Sequence, residues 1–217
     1  MDTDQHPPQT GTSPGSDRGL DESILAADPV DQFSAWLADA AAAGLPEPNA
    51  MVLSTVSAAG RPRSRSVLLK EHSQAGFVFY TNRTSAKAQD LAVNGHASAL
   101  FPWYALHRQV IVHGAVTAMS QADSEPYFRS RAHGSQIGAW ASRQSSVISS
   151  RAMLQEAYAR LEERWPEGTT VPMPDFWGGY LIVPDSVEFW QGRVNRMHDR
   201  LRYRRDGAHW LVERLSP

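Results

Sequence analysis

The densest group of reactive and anion-seeking side chains is Trp190-Gln191-Gly192-Arg193 followed by Arg196-Met197-His198-Asp199-Arg200. It gathers an aromatic edge, several guanidinium groups and an imidazole into a short span. Guanidinium forks suit carboxylates and phosphates, and histidine changes charge near neutral pH. In an extended stretch Arg196, His198 and Arg200 would share one face. The basic run continues through Arg202, Arg204 and Arg205, so a solvated basic strand or a nucleic-acid patch is the competing reading.

Four weaker constellations point to anions as well. Arg65-Ser66-Val67-Leu68-Leu69-Lys70 sets a guanidinium and an ammonium at the ends of an apolar strand, although positions 65 and 70 have opposite parity and would face opposite ways on a regular strand. Two solvated strand-end charges would look the same. Thr84-Ser85-Ala86-Lys87 places hydroxyls, free backbone N–H groups and an ammonium at a helix start, which suits a phosphate or is simple N-capping. Tyr127 and Arg131 are four apart, on one face if the helix runs that far, with Ser135 beyond Gly134 in a loop; an exposed helix-end arginine is the alternative. Gln144-Ser145 offers amide and hydroxyl groups, and Trp177-Gly178-Gly179 a tight turn behind an aromatic ring. The chain has no Walker loop, no GxGxxG after a strand, no HExxH and no GxSxG, so nucleoside-triphosphate, nicotinamide, zinc-protease and serine-hydrolase readings lack their motifs.

The elements that must position these groups follow from periodicity. Asp28-Pro29 opens an amphipathic helix carrying Val30, Phe33, Trp36, Leu37 and Ala40, stopped at Gly44. Short β-type runs follow: AMVLSTV, PRSRSVLLK, GFVFYTN, ASALFPWY and RQVIVHGAVTAM, with the helical piece SAKAQDLAVNG between them. Ser120 opens another helix that Pro126 should kink or restart, and a further one begins near Ser149 and closes at Trp165-Pro166. The tail returns to strands in GGYLIV, SVEFWQG, DRLRYRR and HWLVERL, the last two joined by the hairpin signal Asp206-Gly207. The architecture expected is a mainly antiparallel β-barrel with peripheral helices, α+β, in one domain.

Composition bounds the rest. The 217 residues suit one globular core, and a formal charge of -2 gives no whole-protein attraction to nucleic acid. The absence of cysteine excludes disulfides and thiolate-ligated metal and fits a reducing compartment, so the expectation is a cytoplasmic protein with no bound metal. No apolar run is long enough to cross a bilayer. The start, MDTDQHPPQTGTSPGSDRG, is Pro/Gly/Ser/Thr-rich, so residues 1–27 are expected to be disordered and the folded domain to span 28–217.

In order along the chain, RSVLLK, FYTN with SAK, FPW with RQV, YF with SR and SQIGAW, RQS, PDFWGGY, VEFWQG, RMHDR and ERLSP resemble the pyridoxamine 5'-phosphate oxidase family from about Asp28 to Pro217. The resemblance implies an FMN-binding split β-barrel and a homodimer with a C-terminal dimerisation region, the two FMN molecules lying in clefts between subunits. It implies that Arg65, Ser66, Val67, Leu68, Leu69 and Lys70 line FMN, with Tyr80, Thr81, Lys87, Gln109, Gln144, Ser145, Trp190 and Arg200 completing the cofactor site. Lys70, Tyr127, Arg131 and Ser135 would clamp the substrate phosphate, and Arg196 and His198, the implied catalytic pair, would sit over the pyridine ring.

The chemistry so implied is oxidation of pyridoxamine or pyridoxine 5'-phosphate to pyridoxal 5'-phosphate, by hydride transfer to FMN and then to O2 with release of hydrogen peroxide. Two departures bear on it. Ala86 stands where the family usually has an arginine, and the family's N-terminal Arg and Tyr arm has no counterpart in DRGLDESILAADP, where Arg18 is the sole candidate and is left unassigned. The rival readings are a related flavin oxidase of another ring, of the phenazine-biosynthesis type, and a non-catalytic flavin or B6-phosphate binding protein.

Overall fold

The computed structural model describes residues 19–217. The expected disordered head lies, for residues 1–18 and thus for Arg18, outside the described residues. Packing begins well before Asp28. Leu20 is buried, Asp21 caps the 3-10 turn Glu22–Ile24, and Glu22 receives Arg214 through both carboxylate oxygens at 2.9 and 2.6 Å. The composition of residues 19–27 does not show this, because the partner lies 192 residues away.

Among the described residues the strands form a nine-stranded antiparallel sheet. They are β1 (Ala50–Val56), β2 (Pro62–Leu68), β3 (Glu71–Ser73), β4 (Gly76–Asn82), β5 (His96–Trp103), β6 (Arg108–Ala118), β7 (Trp177–Gln191), β8 (Asp199–Asp206) and β9 (His209–Arg214). The order runs β2-β1-β5-β6-β7-β4-β3, with β8 and β9 continuing from the C-terminal half of β7. β2 and β3 stand at opposite ends of this path yet are consecutive in the chain. Leu69 N–H donates to Asn49 O and Lys70 N–H to Val78 O, so the backbone changes partner between these two residues and the sheet curls toward closure as a half-barrel.

Alternation sorts the faces. β1 buries Met51, Leu53 and Thr55, β5 buries Ala97, Ala99, Phe101 and Trp103, and their intervening residues face outward. The helix α1 (Pro29–Ala42), capped by Asp28, lays Phe33 edge-on against Phe77 and Phe101 and packs Trp36 on Phe189, which closes one end of the core. A smaller cluster of Phe128, Ile137, Val171 and Trp177 lies beneath α3 (Gln121–Ser130), α4 (His133–Ala141) and α5 (Arg151–Arg164). The remaining helix, α2 (Ala86–Val93), packs on β1.

Three elements depart from expectation for physical reasons. α3 runs unbroken through Pro126, which shares the exposed side with Ala122, so water can satisfy the carbonyl left without a donor. Ser135 lies in the first turn of α4 and not in a loop. The glycine before it reflects close packing, since a Cβ on Gly134 would come within 2.9 Å of the Tyr158 hydroxyl on α5. GGYLIV and SVEFWQG form one strand, β7, which passes Pro184 where the register with β6 shifts at His113/Gly114; a bulge tolerates the missing N–H.

Candidate active site

The sequence places Ser85 as the N-cap of α2, and the next turn delivers Lys87 into a buried position. Its Nζ donates to Gln144 Oε1 at 2.6 Å, Thr81 Oγ1 at 3.0 Å and Ser85 Oγ at 3.5 Å. All three acceptors are neutral. Burial, followed by the nearby Arg65 charge, pulls the ammonium down to about 8. A desolvated cation held only by neutral oxygens fits an anionic group such as a cofactor phosphate. Beside it Ser145, in a left-handed conformation (φ 72°), accepts from Ala86 N–H at 3.2 Å.

Lys87 opens onto a cavity of about 660 Å³, within the span usual for cofactor and small-ligand sites. Ser66, Val67 and Leu68 of β2, Lys70, and Tyr80 and Thr81 of β4 form part of its wall, as does Gln144. The helices α3 and α4 add Tyr127, Arg131 and Ser135. Lys70 Nζ lies 5.7 Å from the Tyr127 ring centre, so the partner switch at Leu69–Lys70 turns Lys70 to the cavity despite the parity of a regular strand. Arg131 Nη1 is buried with no hydrogen-bond partner, and its guanidinium packs on the faces of Trp177 (5.0 Å) and Phe128 (5.6 Å). Burial lowers its affinity for the proton, with Tyr127 acting the other way.

Two of the expected FMN-lining residues lie off this wall. Leu69 is a core residue, 3% exposed. Arg65 turns inward beside β1, where Nη1 donates to Thr55 Oγ1 at 2.8 Å and to the carbonyls of Leu53 and Arg63, and Nη2 lies 3.8 Å from Asp90. It acts on the cavity through its field on Lys87.

The remaining expected residues form a second group on the outward face of β6, β7 and β8. Gln109, Trp190 and Arg200 are aligned across the three strands by register. The rings of Trp190 and His198 lie 4.6 Å apart, and His198 Nδ1 accepts from Arg193 N–H at 3.0 Å, which leaves the ring proton on Nε2. Arg200 is bound to both oxygens of Glu188 at 2.8 and 3.1 Å. Arg196 does not share an extended face with His198 and Arg200: it ends a 3-10 turn with Asn195 and Arg196 both left-handed (φ 56° and 60°) and is exposed. The rest of the basic run is engaged within the chain, Arg202 and Arg204 with Glu213 and Arg205 over Trp210. None of this second group lines the cavity of the same chain.

Sequence reasoning missed several contributors. Asn82 lines the cavity and donates to Ser142 O, Asp90 and Glu188 hold arginines, and Trp177 contributes wall; Trp177-Gly178-Gly179 is not the expected tight turn but the start of β7, where the glycines leave room for Arg83 and Tyr80. Asp90 stands one helical turn after Lys87, a spacing that could have flagged it. Among the described residues no group of three or more histidines and carboxylates is placed to hold a metal, and no helix is long and apolar enough to cross a membrane.

Comparison with known proteins agrees with this architecture. Residues 37–164 match the family model described as pyridoxamine 5'-phosphate oxidase, and residues 177–217 match the pyridoxine 5'-phosphate oxidase C-terminal dimerisation region. The chain is 58% identical over 205 residues to a pyridoxine/pyridoxamine 5'-phosphate oxidase from Streptomyces avermitilis, covering 92% of this chain and 91% of that one. One from Salinispora arenicola is 53% identical, with 93% and 92% covered. Among solved structures, PhzG from Burkholderia lata in complex with tetrahydrophenazine-1-carboxylic acid superposes with a TM-score of 0.84 at 29% identity, covering 95% of this chain and 98% of that one. A pyridoxamine 5'-phosphate oxidase-related, FMN binding protein from Nostoc punctiforme shares the fold, with a TM-score of 0.70 at 17% identity over 89% of this chain and all of that one. By sequence along nearly its whole described length, the chain belongs to the pyridoxamine 5'-phosphate oxidase family.

Proposed function

We propose that this protein oxidises pyridoxamine 5'-phosphate or pyridoxine 5'-phosphate to pyridoxal 5'-phosphate, using FMN, with O2 as acceptor and hydrogen peroxide as the reduced product. The observation that carries this reading is the presence of two separate cation sets on one cavity wall. Lys87 with Thr81 suits one phosphate, and Arg131 with Lys70, Tyr127 and Ser135 suits another. A cofactor and a substrate that are both phosphate monoesters require such a pair.

Bound FMN supplies the two-electron acceptor that passes electrons to O2. The chain's own task is to neutralise the substrate phosphate and hold the ring in a reactive position. Arg196 and the Nε2–H of His198 are suited to orient the reacting carbon and its proton. They lie outside the cavity of their own chain, so the site requires a homodimer in which the partner subunit brings the Trp190–His198 group to this cavity. The match of residues 177–217 to a dimerisation region supports that assembly.

The likeness to PhzG favours one second reading, oxidation of a reduced phenazine acid. The Arg131 set argues against it, because such a substrate carries no phosphate. A peroxide assay of the purified flavoprotein separates the readings. Release with pyridoxine 5'-phosphate and not with a dihydrophenazine carboxylate supports the proposal, the reverse supports the second reading, and binding without peroxide defeats both.

A further inference from the structure

We infer that Trp177 is a positioning residue for a phosphate monoester, holding the clamp arginine by its ring face where a carboxylate would ordinarily hold it. The inference rests on the functional reading above and adds the device that keeps the clamp charged.

Trp177 is 5% exposed at the start of β7. Its indole lies nearly parallel to Tyr80 (5.3 Å, 12°) and Tyr127 (6.2 Å, 13°), and the two tyrosines stack on each other at 4.1 Å. Arg131 lies 5.0 Å from the centre of the same indole. One side chain thus supports both the phenol and the guanidinium assigned to the substrate phosphate. Phe128 offers Arg131 a second, more distant face at 5.6 Å.

The charges explain why a ring is used. The influences on Arg131 are burial and Tyr127, with no carboxylate among them, and Nη1 has no acceptor. By contrast Arg200 is held by Glu188 and Arg214 by Glu22, both bidentate. A carboxylate on Arg131 would fix the guanidinium equally well but would compete with an incoming phosphate and cancel its charge. An aromatic face orients the guanidinium and leaves that charge uncompensated. The orphaned Nη1 is then a donor in reserve for a phosphate oxygen.

The test is steady-state kinetics of the FMN-loaded protein with pyridoxine 5'-phosphate, for wild type, W177L and W177F, with FMN content and melting temperature measured in parallel. Losing a desolvated cation–π contact corresponds to about 30-fold, so W177L is expected to raise KM by about that factor with kcat changed less than about twofold and FMN content unchanged. W177F keeps a smaller face and is expected to stay within about threefold of wild type but above it. Equal KM values for W177L and wild type, equal KM values for the two variants, or a fall in kcat that matches loss of FMN would each overturn the inference.

Should W177L fail to accumulate with FMN, W177F decides, and an unchanged KM overturns the inference. If wild type itself does not turn over pyridoxine 5'-phosphate, the functional reading fails separately. The variants are then ranked by calorimetric binding of inorganic phosphate to the FMN-loaded protein. The same order supports the positioning role, and equal affinities overturn it.

Discussion

Lys87 Nζ lies 2.6 Å from Gln144 Oε1, joining the first turn of α2 to a segment 57 residues later and placing a buried cation on a bond to a neutral amide. Such an arrangement stores an unmet demand for negative charge. If FMN phosphate meets it, K87M should weaken FMN binding by about 10–150-fold, the range for losing one charge-assisted hydrogen bond. Flavin-fluorescence titration measures this, and riboflavin, which lacks the phosphate, should bind wild type and variant alike.

The same residue sets a pH dependence. Its folded-state value of about 8 lies below the ordinary 10.5, so the protonated form is disfavoured by folding. For a lowered lysine the sign is that this destabilisation is present below about 8 and is relieved as pH rises toward 10.5. FMN binding runs the opposite way because the phosphate favours the charged ammonium. FMN affinity should therefore be level between about pH 7, where the phosphate is fully ionised, and about pH 8, and fall by up to about tenfold per pH unit above it, a limb absent from K87M.

Much of this frame was legible in the sequence. Asp28, Ser85 and Ser120 each cap the helix they were expected to open, and Gly207, at φ 58°, turns the β8–β9 hairpin. Those signals are local, so spacing shows them. What was hidden depends on distant partners. α4 begins at His133 after Ala132, which offers no side-chain cap, and contains two glycines. Leu20 is buried through contacts formed at the far end of the chain. Arg65 turns toward Thr55 and Asp90 on neighbouring elements, and Lys70 faces the cavity only because the backbone leaves β1 for β4 at that point. The resemblance supplied the site residues as one list, whereas the fold divides them between a cavity and an outward sheet face.

Arg131 faces the cavity with Nη1 unpaired. R131M should reduce kcat/KM for pyridoxine 5'-phosphate by about 10–150-fold, mainly through KM, while FMN content stays at the wild-type level. A matching loss of FMN would place Arg131 at the cofactor instead.

Arg196 is held left-handed at the end of an exposed turn, away from the core. Arg196→Ala should lower turnover by about 10–150-fold, the range for losing one charge-assisted hydrogen bond that orients the reacting carbon, with FMN retention and melting temperature unchanged. Unaltered turnover would remove it from the reaction.

Phe33 is fully buried, with Phe77 and Phe101 edge-on against it. Phe33→Ala should destabilise the fold by about 3–5 kcal/mol through the cavity it leaves, read as a lower denaturation midpoint of the FMN-loaded protein. A shift under about 1 kcal/mol would mean that α1 does not close the core.

The central claim is that one cavity serves a flavin and a phosphorylated B6 compound together. The most direct measurement is the visible spectrum of the purified protein under anaerobic titration with pyridoxamine 5'-phosphate. Flavin absorbance that bleaches with about one equivalent and returns on admitting air is the result expected of a two-electron flavin oxidase. A flavin spectrum unmoved by pyridoxamine 5'-phosphate, or a protein that retains no flavin, would contradict it.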